Sequence, residues 1–179
     1  MLGPASHKNY FELFELPIGF AIDTMVLGAR YRELARRVHP DRFAHASDQE
    51  RRLAMQWTTL LNEAFQTLQD PIRRGQYLLS LSGVATLDDT DTQMDPDFLM
   101  EQMELREQLE AARSDTAWRE RLAALSAETR QRMQSKTQEF QQALEQGEPG
   151  RARATNAIRE MQFLAKMERE IGELEEELE

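Results

Sequence analysis

Nowhere in the 179 residues do apolar and polar side chains alternate over more than a few positions, so the chain offers no pattern for a half-buried strand. Helix formers (Glu, Gln, Leu, Ala and Arg) dominate, and apolar residues recur at three- and four-residue spacing. The expected fold class is therefore all-α. Its helices are cut by proline and glycine at a few places, and those breaks give the organisation.

The first stretch, "NYFELFEL", reads as a short helix stopped near Pro17 and Gly19. A second helix starts at Asp23, a good N-cap, and runs to Val38, with Leu27, Tyr31, Leu34, Ala35 and Val38 on one face. Arg30, Arg32, Arg36 and Arg37 then fall mostly off the buried stripe, which gives the helix a basic outer surface. Pro40 disfavours α geometry at His39 and turns the helix end into an exposed bend. Ser47 and Glu50 form a capping-box pattern at the head of a third helix, whose stripe is Leu53, Trp57, Leu60, Leu61, Ala64 and Leu68. The second and third helices make a hairpin around the loop "HPDRFAHA". Asp70-Pro71 starts a fourth helix that ends near Gly83.

Residues 84–94 are polar and acidic with no period, and read as a linker. Beyond them a helix runs from Asp95-Pro96 to about Ala112, a long one from about Asp115 to Gln146, and a last one from about Arg151 to Glu177 after the break "GEPG". Three such helices joined by short turns make an antiparallel bundle. The acidic end "ELEEELE" reads as a fraying, solvated terminus.

Several chemistries are disfavoured at the outset. The chain has no cysteine, which removes disulfides, thiolate nucleophiles and Cys-held zinc or iron–sulfur clusters. A reducing cytosol fits that composition. No stretch is long and apolar enough to span a membrane, and the N-terminus lacks a basic-then-apolar leader pattern, so a soluble, untargeted protein is expected. The net charge of −10 opposes general nucleic-acid binding. Residues 1–83 carry ten Lys/Arg against nine Asp/Glu, whereas residues 84–179 carry twelve against twenty-three. Two halves of such different charge, +1 and −11, suggest two different partners.

His39-Pro40-Asp41 admits several readings from the residues alone. It can be a helix stop with a turn-forming aspartate. A catalytic reading needs a nucleophile and an enclosed pocket, and the sequence nominates neither. A metal reading through His39 and His45 has no usual ligand spacing. Context narrows the choice: a basic amphipathic helix, His-Pro-Asp in an exposed loop, and a returning helix ending "NEAFQTLQDPIRRGQYLL" resemble, in order and spacing across residues 9–82, the J-domain of DnaJ-type co-chaperones. The resemblance implies a protein that binds a DnaK-type chaperone in its ATP state and stimulates hydrolysis, is no enzyme itself, and needs no cofactor or metal. It assigns the stimulating contact to His39, Pro40 and Asp41 and the docking charge to Arg32, Arg36 and Arg37, with Tyr31 and Arg42 nearby. Arg42 stands where many J-domains have lysine, and Gly75 where alanine is common, the latter at a helix cost of about 1 kcal/mol. Residues 1–8 fall outside the J-domain as a short extension.

The second half carries a resemblance of its own. "DPDFLMEQMELREQLEAA" and "AIREMQFLAKMEREIGELEEEL" are similar to the C-terminal domain of the HscB family, J-proteins of bacterial iron–sulfur cluster assembly. The helical wheel is an independent argument. With Phe98 at zero, Leu105, Leu109 and Ala112 lie within about 40° and define a core face, while Leu99, Met100 and Met103 point away beside Glu104 and Glu107. On the last helix, Ala157, Met161, Leu164 and Ile171 cluster, and Phe163 and Met167 are expected nearly opposite. Exposed Leu, Met and Phe rimmed by glutamates read as a protein-binding patch. Two other readings stay open: Leu99 can staple to Met94, and Phe163 or Met167 can pack against the first domain. The family resemblance implies an L-shaped protein whose Leu99, Met100, Met103, Glu104, Glu107 and Phe163 hold the scaffold IscU for the chaperone HscA. It also implies a cytoplasmic protein; a monomer is the favoured state.

Overall fold

The computed structural model describes residues 9–43, 46–84 and 96–179, with the backbone alone for Pro40 and Asp41. Among these residues there is no strand, and seven α-helices follow in order: α1 Tyr10–Leu13, α2 Thr24–Val38, α3 Asp48–Gln69, α4 Pro71–Leu81, α5 Pro96–Arg113, α6 Trp118–Glu145 and α7 Arg151–Leu178. Short 3-10 turns occupy Pro40–Phe43 and Glu148–Gly150. The chain divides into two compact units at residue 78, within α4. The expected extension (1–8), most of the linker (84–94), His45 and Met94 lie outside the described residues.

Local chemistry sets the helix ends of the first unit. The carboxylate of Asp23 accepts hydrogen bonds from the N–H groups of Met25 and Val26 at 2.9 and 3.1 Å, satisfying donors that the first turn of α2 cannot. Ser47 and Glu50 close a reciprocal capping box at the start of α3. Asp70 receives the N–H of Arg73 at 2.8 Å and starts α4. At its far end, Gly83 adopts φ 80° while the Gly83 and Val84 N–H groups bond to the carbonyls of Ser80 and Leu79. That is a Schellman stop, and it needs a residue free to take positive φ.

α2 and α3 lie side by side as the antiparallel arms of the hairpin, with α1 packed on α3. Phe11, Phe14, Leu27, Leu61, Ala64 and Leu68 are each at most 1% exposed, and burying each large side chain is worth about 1.5–3 kcal/mol. One member of the expected stripe is misplaced: Leu53 is 38% exposed, and Ala54 is buried instead. The reason is angular, since Leu53 sits about 80° from Leu61 around α3, on the flank of the face that meets α2. Arg74, on α4, is buried and donates to the Leu68 carbonyl at 2.6 Å, while its guanidinium lies over the Phe20 ring.

The second unit is an antiparallel three-helix bundle of α5, α6 and α7. Its core joins Leu105 and Ala112 of α5, Leu122 and Leu125 of α6, and Leu164, Met167, Ile171 and Leu174 of α7. The turn between α6 and α7 uses Gly147 at φ 66° and a buried Gly150. The acidic C-terminus does not behave as the frayed end its composition suggests. α7 is helical to Leu178, Leu174 is 3% exposed, and Glu177 pairs with Arg113 of α5 at 3.1 Å. Leu174 and Leu178 punctuate the glutamates at helical spacing and hold the end against the core.

Candidate functional site

The chemistry-bearing residues gather in two places, one per unit. In the first unit they surround the C-terminal end of α2. Val38 is the last helical residue; His39, with φ −57° and ψ 130°, turns extended, as the residue before a proline is driven to do. Pro40–Phe43 then wind one 3-10 turn, closed by the Arg42 N–H on the His39 carbonyl at 3.0 Å. His39 is exposed, so the tripeptide begins at the surface.

The arginines before it do not all stand alike. Arg32 and Arg36 are exposed; Arg37 is exposed but bonded to Glu33 at 2.6 Å, and Arg30 reaches Glu15 at 2.9 Å. Exposed pairs of this kind are worth well under 1 kcal/mol, so they do not hold the cations back from a stronger anionic partner. Tyr31 is engaged inside the hairpin: its hydroxyl donates to Asn62 at 2.8 Å and its ring stacks on Phe65 at 4.2 Å. Arg42 folds back on α2, its guanidinium Nη1 donating to the Arg36 carbonyl at 3.3 Å. Thr58, which the sequence did not single out, donates from α3 to Ala54 O at 2.9 Å and more distantly to Val38 O at 3.4 Å. A lone threonine in an amphipathic helix gives no sequence signal for such a role.

In the second unit the outer side of α5 is apolar where a bundle needs no apolar face. Leu99, Met100 and Met103 are 44%, 57% and 63% exposed, with exposed Glu104 and Glu107 on the same helix. Glu101 is tied to Arg132 of α6 at 3.0 Å, and Arg132 also holds Glu128 at 2.6 Å. The charged network goes on through Lys136, which bonds Glu160 at 2.5 Å and Glu139 at 3.2 Å. Burial pushes the Glu160 carboxyl above its ordinary range, and its bond to Lys136 opposes this only in part. Burial alone would depress Lys136, but its two glutamate partners outweigh that and raise it.

The last helix departs from the expected pattern. Met167 is 1% exposed and belongs to the core, and Phe163 is half-buried, packed against that core and edge-on to Phe98 at 5.7 Å. Neither lies opposite the inner face: at about 100° per residue Met167 is some 80° and Phe163 some 120° from Ala157. α7 packs against both α5 and α6, and two neighbours widen its buried arc well beyond one stripe. Phe163 therefore borders the α5 patch and does not project as part of it. Arg106, missed in the sequence although it follows Met103 by one helical step, places its guanidinium 5.9 Å from the Phe163 ring centre.

An arginine-bearing helix, a His-Pro-Asp turn and a returning helix, followed by a three-helix bundle with an exposed Leu/Met face, define a class: the J-protein co-chaperones. Comparison with known proteins narrows it. The family model described as the HSCB C-terminal oligomerisation domain matches residues 94–172. A co-chaperone protein HscB homolog of Burkholderia multivorans is 43% identical over 174 residues, covering 96% of both chains. The crystal structure of human co-chaperone protein HscB matches with a TM-score of 0.86 at 31% identity, over 96% of this chain and 84% of that one. The structure of chaperone HscB from Vibrio cholerae matches with a TM-score of 0.86 at 40% identity, over 96% and 99%. The chain belongs to the HscB co-chaperone family.

Proposed function

We propose that the protein brings an IscU-type iron–sulfur scaffold to an HscA-type, DnaK-like chaperone and stimulates the chaperone's ATPase. The observation that carries this reading is the pairing, in one chain, of a His39-Pro40-Asp41 turn at the end of an arginine-bearing helix with an exposed Leu99–Met100–Met103 face on a separate unit. The first suits a trigger and the second suits client capture.

The division of labour follows from the chemistry. Arg32, Arg36 and Arg37 attract an acidic chaperone surface and set the encounter rate. Pro40 fixes the bend at little entropic cost, and the short carboxylate of Asp41 suits a charge-assisted bond to a chaperone arginine. Leu99, Met100 and Met103 offer adaptable apolar contact, and Glu104 and Glu107 a polar rim. The protein supplies no catalytic group to hydrolysis: it regulates a partner's active site.

The test is steady-state ATP hydrolysis by the matching chaperone, with and without the scaffold. Wild-type protein is expected to accelerate hydrolysis, further with scaffold, and Asp41→Asn or His39→Gln to remove the acceleration. Substituting Leu99, Met100 and Met103 by alanine is expected to abolish the scaffold-dependent increment while keeping the basal one. If wild-type protein leaves hydrolysis unchanged under both conditions, the proposal fails. Stimulation without scaffold binding would instead assign it another client.

A further inference from the structure

The first unit shows how its own trigger is held. In a continuing helix the Arg36 carbonyl would accept the N–H of residue 40, and the Val38 carbonyl the N–H of residue 42. Residue 40 is proline and has no N–H, and the N–H of Arg42 is spent on the His39 carbonyl within the 3-10 turn. Pro40 thus makes the bend and also leaves two acceptors at the helix end without their ordinary donors. Both receive side chains: Arg42 Nη1 reaches Arg36 O at 3.3 Å, and Thr58 Oγ1 lies 3.4 Å from Val38 O. A cation on the last turn also complements the negative end of the helix dipole.

These donors come from different places. Arg42 belongs to the turn itself and fastens it back onto α2, whereas Thr58 belongs to α3 and ties the same helix end to the other arm of the hairpin. Thr58 has one hydroxyl proton and shares it with Ala54 O at 2.9 Å, so its hold is the weaker. We infer that Arg42 is a positioning residue, with Thr58 in support: it orients the His39–Asp41 turn by filling the acceptor that Pro40 vacates, and is not primarily a docking charge. The inference rests on the trigger reading given above. Position 42 differs in this from Arg36: both side chains are exposed, but Arg42 contributes its guanidinium as the donor, whereas Arg36 contributes only its backbone carbonyl as the acceptor.

That difference supplies the test. Stimulation of the chaperone is titrated with wild-type protein, Arg42→Met, Thr58→Val and Arg36→Met, and amide hydrogen exchange of residues 39–43 is followed in each free protein. Arg42→Met is expected to lower the stimulation plateau by about threefold or more with little change in the half-saturating concentration, and to speed exchange of the Arg42 amide. Thr58→Val, which alters no charge, is expected to do the same more weakly. Arg36→Met keeps the backbone acceptor and is expected to raise the half-saturating concentration while leaving exchange alone. An Arg42→Met protein with a normal plateau and weakened half-saturation makes Arg42 a docking charge and overturns the inference, as does unchanged amide exchange. If wild-type protein gives no stimulation at all, the functional reading falls, and the exchange comparison still decides whether Arg42 holds the turn.

Discussion

Phe163 of α7 and Phe98 of α5 meet edge-on, their ring centres 5.7 Å apart and their planes at 89°. Phe98 is 7% exposed and Phe163 half-buried, so this contact locks α5 against α7 beneath the helix that carries Leu99, Met100 and Met103. The apolar face is held in place by an aromatic pair that is part of the bundle's packing.

Loss of that pair should cost fold stability. Phe163→Leu is expected to lower the stability of the bundle by about 0.5–1.5 kcal/mol, the worth of an aromatic pair beyond its area. Leu99→Ala and Met103→Ala, on exposed positions, should stay within about 0.5 kcal/mol of wild type. Urea unfolding followed by circular dichroism separates the two cases. A Phe163→Leu midpoint equal to that of wild type would return Phe163 to the surface.

Salt should act on the two faces unequally. On the proposed reading the basic face of α2 acts through long-range attraction, which is screened beyond about 10 Å at 0.1 M ionic strength, whereas apolar contact through α5 is not. Raising salt is therefore expected to increase the concentration needed for half-maximal ATPase stimulation while changing scaffold affinity much less. Calorimetric titration of the scaffold beside the ATPase titration measures both, and Arg36→Met should flatten the salt dependence of the second.

The first unit has a built-in alkaline sensitivity. Burial, with a hydrogen bond and negative charge from Glu63 and a smaller effect of Tyr77, pushes the Tyr10 phenol from 10.0 up to about 12. Its hydroxyl donates to Glu63 Oε1 at 3.0 Å, and its ring stacks on Tyr77 at 4.4 Å. The folded chain holds this proton more tightly than the unfolded one, so the stability it contributes is intact below pH 10 and is lost as the pH rises towards 12. A phenolate absorbance titration should show a late-ionising tyrosine that disappears in Tyr10→Phe and shifts down in Glu63→Gln.

What could be read from the sequence follows the range of the interactions. The Asp23 cap, the Ser47/Glu50 capping box and the Gly83 stop depend on groups within six residues of one another, and each is legible as a pattern. The core face of α5 is legible too, because Phe98, Leu105 and Ala112 repeat on one side of one helix. Phe163 and Met167 are not, since a helix with two neighbours buries more than one stripe and residue spacing does not count neighbours. Tyr31 and Arg42 look like docking groups by type and place, yet their bonds to Asn62 and to the Arg36 carbonyl emerge only when hairpin and turn are folded. Composition misleads at the acidic C-terminus for a related reason: the two leucines among its glutamates decide where it lies.

The turn between α6 and α7 offers a last measurement, because its two glycines are required for different reasons. Gly147 has φ 66° with ψ −133°, a conformation that is nearly glycine's alone and costs another residue about 1–3 kcal/mol, but nothing lies within 4 Å of where its Cβ would be. Gly150 has an ordinary φ of −84° and no room: the Ala143 carbonyl carbon lies 2.8 Å from the position of a Cβ, with its oxygen nearer still, and the obstacle is backbone. A side chain at 147 strains one residue, whereas one at 150 must push α6 and α7 apart at their junction. Gly147→Ala is therefore expected to lower the melting temperature modestly, and Gly150→Ala to lower it substantially more, with loss of the cooperative transition of the bundle. Thermal scans of the two variants decide this: equal losses would mean that the corner relaxes freely and that lack of space does not select glycine at position 150.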